Sequence, residues 1–173
     1  MNLRERDGVA LTSQMPDECA PLDRFLRAQD QPEAGFEAAM AELRAGAKRG
    51  HWIWYVFPQI AGLGSSSASR EYAIRDATEA AAYLSHPVLA TRLRDAIDVV
   101  AGQLQRGMAL PSLMGSEIDA LKLVSSLTLF QHVGEAAEDL AASELAKAAD
   151  HVLTIAERQG YPRCSFTERA LGL

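Results

Sequence analysis

Apolar side chains that recur every three or four residues are the feature that most constrains the fold of this chain. The clearest series begins after Pro87 and consists of Leu89, Leu93, Ile97, Val100 and Leu104. This spacing places one side of an α-helix against a core. The strict alternation of a half-buried strand is not found outside one aromatic segment. The sequence therefore predicts an all-α protein.

Proline, glycine and capping residues divide these patterns into about six to eight helices. Asp76 with Glu79, and Ser116 with Asp119, have the spacing of N-terminal cap pairs. The helix that follows Ser116 is apolar on most sides, so we expect it to be central. The segment just before it, Pro111 to Gly115, is predicted to be a connector.

The length of the chain favours one domain with a single core. It has 173 residues, of which 48% are hydrophobic, and that is enough to bury a substantial apolar core. Residues 1–16 are polar and have no helical period, so they are predicted to be a flexible N-terminal arm. Residues 17–173 are predicted to form a single irregular helical bundle.

The charge and hydropathy of the chain exclude several functional classes. A net charge of −6 argues against nonspecific nucleic-acid binding, which needs a basic face. No apolar run reaches the roughly 18 to 20 residues that cross a bilayer, and the first residues lack the apolar stretch of an export signal. We expect a cytoplasmic protein, monomeric or homodimeric, without membrane contact.

The cysteines and most histidines give no sign of a metal or redox site. Cys19 and Cys164 lie near opposite ends of the chain and are predicted to be free thiols, with a disulfide between them as the alternative. His86, His132 and His151 occur singly, without the spacing of metal ligands. No metal and no cofactor is expected.

An aromatic block, defined here as residues 48–64, is the strongest candidate for a functional site. It contains both tryptophans of a chain that is only 6% aromatic. Trp52, Trp54 and Tyr55 could be a platform for a ligand, or simply a packed core cluster. The block alternates like a strand but would also fit a helix with rings around most of its circumference.

Two polar residues of the block, His51 and Gln59, add to the functional interpretation. His51 follows Lys48 and Arg49, and histidine is a side chain that can act as an acid, a base or an anion contact near neutral pH. A hydrogen-bonded structural histidine is the alternative. Gln59 could recognise the hydrogen-bonding groups of a ligand.

A glycine- and serine-rich loop then precedes a short predicted helix. Gly62, Gly64, Ser65 and Ser66 could aim backbone N–H groups at a phosphate or carboxylate. The alternative is a tight loop in which a serine caps the helix. The dinucleotide-binding fingerprint is not matched, because its third glycine and its alternating strands and helices are missing.

A polar stripe follows one edge of the predicted central helix. Asp119, Lys122 and Ser126 are spaced at i, i+3 and i+7, with Ser125 beside them. Such a stripe either pairs internally or lines a cavity. The serines lack the sequence context of a hydrolase nucleophile.

Several segments together resemble a known family. They are H-W-I-W-Y-V-F-P-Q at 51–59, G-L-G-S-S at 62–66, D-A-L-K-L-V-S-S-L-T-L-F at 119–130, R-F-L-R-A-Q at 24–29, A-E-L-R-A-G-A-K at 41–48, Y-A-I at 72–74 and E-A-A-A-Y-L-S-H-P-V-L at 79–89. In these segments the chain resembles the bacterial family called domain of unknown function 1810, some members of which are labelled calpastatin-like. The resemblance implies a small, mainly helical, single-domain protein and no established activity. The chain departs from the family pattern at Gly50 and over residues 159–167.

These observations lead to three functional hypotheses. The first is a pocket for a small anionic molecule, such as a nucleotide or an ADP-ribose-like metabolite. Its predicted contacts are Trp52, Trp54, Tyr55, Gln59, Gly62, Gly64, Ser65, Ser66 and Ser126. The second is hydrolysis of such a molecule, with His51 as acid or base and Lys122 stabilising negative charge. The third is a non-enzymatic module for protein interaction or homodimerisation through exposed rings.

Overall fold

The computed structural model describes residues 21–173, and it confirms the all-α prediction for them. Its helices are α1 (Asp23–Gln29), α2 (Phe36–Arg44), α3 (Ile53–Val56), α4 (Ser67–Glu71), α5 (Ala77–Ser85), α6 (Pro87–Gln105), α7 (Leu110–Met114), α8 (Glu117–Glu135), α9 (Leu140–Arg158) and α10 (Ser165–Ala170). Six of them have at least seven residues, and the others are short. The predicted N-terminal arm, 1–16, and Cys19 lie outside the described residues.

Helix α8 lies at the centre of the domain, as its apolar sequence predicts. Its buried residues run from Ala120 to Gly134 and cover most of its circumference. It packs mainly against α9, and α5, α7 and α10 contact it on other sides. A side chain on α8 is therefore either packed among neighbouring helices or placed at the rim of this core.

Local capping interactions set the start of several helices. The Asp76 carboxylate accepts the Glu79 backbone N–H at 2.9 Å, and Ser116 Oγ accepts the Asp119 N–H at 3.1 Å. Both cap pairs predicted from sequence are thus formed. The capping bond to the Asp119 backbone leaves the Asp119 side chain free to turn towards its neighbours.

The predicted connector between α6 and α8 is wrong, because it contains the helical turn α7. Proline is compatible with the first turn of a helix, where its missing N–H has no partner to lose. Gly115 ends α7 with a φ of 76°. A Cβ at this position would also lie 2.6 Å from the carbonyl oxygen of Lys48. The glycine therefore permits both the turn and the close passage of the aromatic block.

Helices α8 and α9 approach each other closely at Gly134, and Gly102 on α6 offers a comparison without such a contact. A Cβ on Gly134 would lie 2.6 Å from the Ala142 carbonyl oxygen, whereas a Cβ on Gly102 would meet nothing within 4 Å. We expect Gly134→Ala to lower the free energy of unfolding by about 2 kcal/mol through overpacking. Gly102→Ala should raise it by up to about 1 kcal/mol through helix propensity. Urea unfolding of the two variants measures both effects, and equal changes would contradict the α8–α9 packing.

None of the helices in residues 21–173 is both long and apolar enough to cross a lipid bilayer.

Candidate functional site

The aromatic block folds around the single helical turn α3, and its rings differ in burial. Trp52 is 1% exposed and belongs to the core. Trp54 and Tyr55 are half-buried and pack against that core from outside. The Tyr55 hydroxyl donates to the Ala34 carbonyl, and its ring meets Tyr72 edge-on at 5.2 Å. Trp52 therefore lies in the core, whereas Trp54 and Tyr55 lie at its edge.

A glutamate on α2 fixes the start of the block. The Glu42 carboxylate accepts the backbone N–H groups of Arg49 and Gly50 and also the indole N–H of Trp52, at 2.7 to 3.1 Å. Burial tends to raise the pKa of Glu42, but these hydrogen bonds and the nearby Lys48 charge outweigh it and lower the pKa. Glu42 therefore stays ionised and orients the segment that leads into α3.

Two lysines share one aspartate beside the block, and we call this arrangement the Lys–Asp–Lys bridge. Lys48 Nζ lies 2.6 Å from Asp119 Oδ2, and Lys122 Nζ lies 2.8 Å from Asp119 Oδ1. The side chain of Lys48 is 5% exposed and that of Lys122 is 18% exposed. The bridge thus has a buried cation at one end and a more accessible one at the other.

The accessible end of the bridge rests on Trp54. Lys122 Nζ lies 3.8 Å from the centroid of the Trp54 ring, within the range of a cation–π interaction. Lys48 Nζ lies 5.1 Å from the Trp52 ring and also donates to the Gly50 carbonyl. Each lysine is consequently paired with one tryptophan, and the bridge ties α8 to the aromatic block.

The shared aspartate is ionised in the folded protein. Burial tends to raise the pKa of Asp119, but the hydrogen bonds and charges of Lys122 and Lys48 outweigh it and hold the pKa below its usual value. One carboxylate serves two ammonium groups, so the bridge itself carries an excess positive charge. This charge is closest to solvent at Lys122.

Two of the predicted site residues are buried polar side chains with atoms that have no hydrogen-bond partner among residues 21–173. Ser126 is fully buried and lies one helical turn beyond Lys122, and its Oγ is unpaired. Gln59, which follows α3, has an unpaired and buried Nε2. Ser125 differs, because its hydroxyl bonds to Thr167 at 3.0 Å. Buried polar atoms without partners are uncommon and call for an explanation.

Within residues 21–173, no hydrogen bond or ion pair joins His51 or the glycine- and serine-rich loop to Trp54, Lys122 or Ser126. His51 is exposed at the entrance to α3. Gly62, Gly64, Ser65 and Ser66 are exposed in the loop, and Ser66 Oγ accepts the Ser69 N–H at 3.0 Å as the cap of α4. The structure thus forms the serine cap that was the alternative to an anion-binding loop. It brings the Lys122 ammonium group onto the Trp54 ring and places Ser126 one helical turn from Lys122. We call the surroundings of these three residues the polar corner.

Glu42 and Lys48 also hold this region together, but the three functional hypotheses do not include them. In the sequence, Glu42 contributes only to the family resemblance, within A-E-L-R-A-G-A-K, and Lys48 is interpreted only as a basic neighbour of His51. Helical spacing places Glu42 on the surface of α2, but it gives no information about a partner ten residues away. Five clefts in the described part of the chain are lined by other segments, and none of the five includes Trp54, Lys122 or Ser126.

Comparison with known proteins gives a family and a structural relative. Residues 20–151 match the family model described as "Protein of unknown function (DUF1810)". The structure is similar to the 1.38 Å crystal structure of the conserved hypothetical protein Rv1873 from Mycobacterium tuberculosis, with 38% sequence identity and a TM-score of 0.72. The similarity covers 88% of this chain and 96% of that one. No curated protein matches the chain. The family model covers most of the chain, including the aromatic block and α8. The chain therefore belongs to the DUF1810 family of proteins of unknown function.

Proposed function

We propose that the protein binds a small anionic molecule at the corner formed by Trp54, Lys122 and Ser126. Binding rather than chemical conversion is the function that this geometry supports best. The observation that carries it is the fully buried Ser126 hydroxyl, which has no partner within residues 21–173 and lies one turn from Lys122.

Lys122 has donor capacity left for such a ligand. An ammonium group carries three N–H donors. Within residues 21–173, Lys122 makes one hydrogen bond, to Asp119, and approaches the Trp54 ring. A phosphate or carboxylate oxygen could accept a remaining donor, and this charge-assisted bond would be stronger than a neutral one. Trp54 would supply apolar area beside it, which suits nucleotides or ADP-ribose-like metabolites.

Hydrolysis through His51 has less support than binding. Two carboxylates of the region around the bridge are already engaged, Glu42 by backbone N–H groups and Asp119 by the two lysines. A catalytic histidine is usually oriented by such a partner. The interaction alternative is weakened because Trp52 is buried and Lys122 covers a face of Trp54.

Isothermal titration with inorganic phosphate, AMP, ADP and ADP-ribose tests the proposal. We expect at least one of them to bind, and Lys122→Gln to weaken its affinity by about tenfold or more, because a charge-assisted bond is lost. Lys147→Gln is the matched control. Lys147 also pairs with an acidic residue three positions earlier on its helix, Glu144, at 2.7 Å. Absence of binding by all four, or equal binding by the two variants, would reject the site.

Ser126→Ala separates a binding role from a packing role. Removing an unpaired buried hydroxyl should leave the free protein as stable as wild type or more so. If the hydroxyl contacts the ligand, the same substitution should weaken binding. Unchanged affinity in Ser126→Ala would remove Ser126 from the site even if Lys122 remains in it.

A further inference from the structure

Two large apolar side chains are exposed next to each other at the start of α8. Ile118 is 66% exposed and Leu121 is 55% exposed. They are three residues apart, so they lie on the same face of the helix. From Leu123 to Phe130, by contrast, every residue of α8 is buried. Exposed apolar side chains that adjoin one another, unlike scattered ones, indicate a surface that another molecule covers.

Charged residues of opposite sign flank this apolar pair. Glu117 precedes Ile118, and Lys122 follows Leu121. Viewed along the helix axis, the two charged side chains lie on opposite sides of the apolar pair. An acidic residue, an isoleucine, two intervening residues, a leucine and a basic residue have the order of positions g, a, d and e in a two-stranded coiled coil. In that arrangement the apolar side chains meet across the contact, and the acid of each helix pairs with the base of the other.

Helix α10 limits the length of this surface. Ser125, which lies one turn beyond Leu121, is fully buried, and its hydroxyl bonds to Thr167 of α10 at 3.0 Å. A second helix can therefore meet this face of α8 only over the turn from Glu117 to Lys122. It must cross α8 there, because α10 prevents it from running along the helix.

A second copy of this chain carries the surface that complements this turn. A two-fold axis in the plane of contact, perpendicular to the line from Glu117 to Lys122, places Glu117 of each copy opposite Lys122 of the other. The same axis brings Ile118 and Leu121 each against its own counterpart. We propose that the protein forms a homodimer through this turn of α8.

The charged groups at the edge of this turn have capacity for the contact. Glu117 is exposed, and its carboxylate accepts the Tyr161 hydroxyl, which leaves further lone pairs. Lys122 bonds to Asp119 at 2.8 Å and retains N–H donors. The contact is small, so we expect weak association, with a Kd of about 10–100 µM. It does not depend on a ligand at the polar corner, and the experiments below use the protein without ligand.

Analytical ultracentrifugation of the full chain from about 1 to 500 µM tests the proposal. We expect monomers at the low end and dimers at the high end of this range. Ile118→Glu should weaken association by about tenfold or more, because it places two like charges against each other in the contact. A chain that remains monomeric at about 500 µM, or a dimer that Ile118→Glu leaves unchanged, would overturn the proposal.

Leu140→Glu is the matched control for Ile118→Glu. Leu140 is 73% exposed, and it lies at the start of another helix, α9. The same change of charge there should leave association unchanged. Because both positions are exposed, neither variant should unfold the protein, and circular dichroism checks this. Equal weakening by the two variants would show an effect of net charge and would reject the contact at Ile118.

Mixing two variants tests the two-fold arrangement. Ile118→Glu and Ile118→Lys should each be monomeric alone, because each copy would repel its own counterpart. In an equal mixture, the carboxylate of one chain would face the ammonium group of the other, so dimers should form again. A mixture that stays monomeric would overturn the pairing of Ile118 with its own counterpart.

Discussion

Replacing Trp52 with alanine should lower the free energy of unfolding by about 4 kcal/mol, the usual cost of removing a large buried ring. Trp52 is 1% exposed, and its indole N–H donates to Glu42 at 2.8 Å. Its ring packs near Phe57 and under the Lys48 ammonium group. The substitution would leave a cavity and remove one of the hydrogen bonds that keep Glu42 in place. Urea unfolding followed by circular dichroism measures the loss.

Trp54→Ala is the matched control for this prediction, because it removes the same side chain two positions later. Trp54 is half-buried and its main described polar contact is the cation–π approach of Lys122. We expect Trp54→Ala to lower the free energy of unfolding less, by about 1–2 kcal/mol, because the ring is only partly buried and makes this one interaction. Equal losses at the two tryptophans would contradict the assignment of Trp52 to the core and Trp54 to its edge.

The helical architecture follows from sequence patterns that act over short distances. The Leu89 to Leu104 series, the cap at Ser116 and the apolar surface of α8 all depend on spacing within one helix. Each of these features can be recognised within a single segment of the sequence. This is why the all-α fold and the central position of α8 could be predicted.

The short elements could not be predicted with the same success, because tertiary contacts define them. The aromatic block forms only one helical turn, after which Ile60 pairs with Ile74 in an isolated parallel bridge. The Gln59 carbonyl accepts the Ile74 N–H, and the Ala61 N–H donates to the Ile74 carbonyl, both at 2.8 Å. Neither partner's local sequence indicates the other. The bridge is therefore defined by tertiary pairing and not by local sequence.

The candidate site was predicted only in part for the same reason. Lys122 and Ser126 share an edge of α8 by spacing alone, so they could be grouped from sequence. Their meeting with Trp54, and the role of Lys48 and Glu42, depend on how α2 and α3 pack against α8. The composition of the block also does not predict which side chains are buried. Trp52 lies in the core, whereas its neighbour His51 lies on the surface.

Replacing Asp119 of the Lys–Asp–Lys bridge with asparagine should lower the free energy of unfolding by about 3 kcal/mol at neutral pH. The substitution preserves shape but leaves the ammonium group of Lys48, which is 5% exposed, without a counter-charge. Glu144→Gln is the control, because it removes the carboxylate of an exposed lysine pair. It should cause no measurable change, since exposed pairs are screened by solvent.

The pH dependence of this loss distinguishes a buried ion pair from a packing defect. The lysines lower the pKa of Asp119 in the folded protein, so ionised Asp119 stabilises the fold fully at pH values above its unfolded pKa of about 4. That stabilisation is lost as the pH falls from this value through the lower folded pKa. The difference in unfolding free energy between wild type and Asp119→Asn should therefore be constant near neutrality and shrink in acid. A difference that stays constant across this range would mean that Asp119 acts through its shape and its hydrogen bonds, not through its charge.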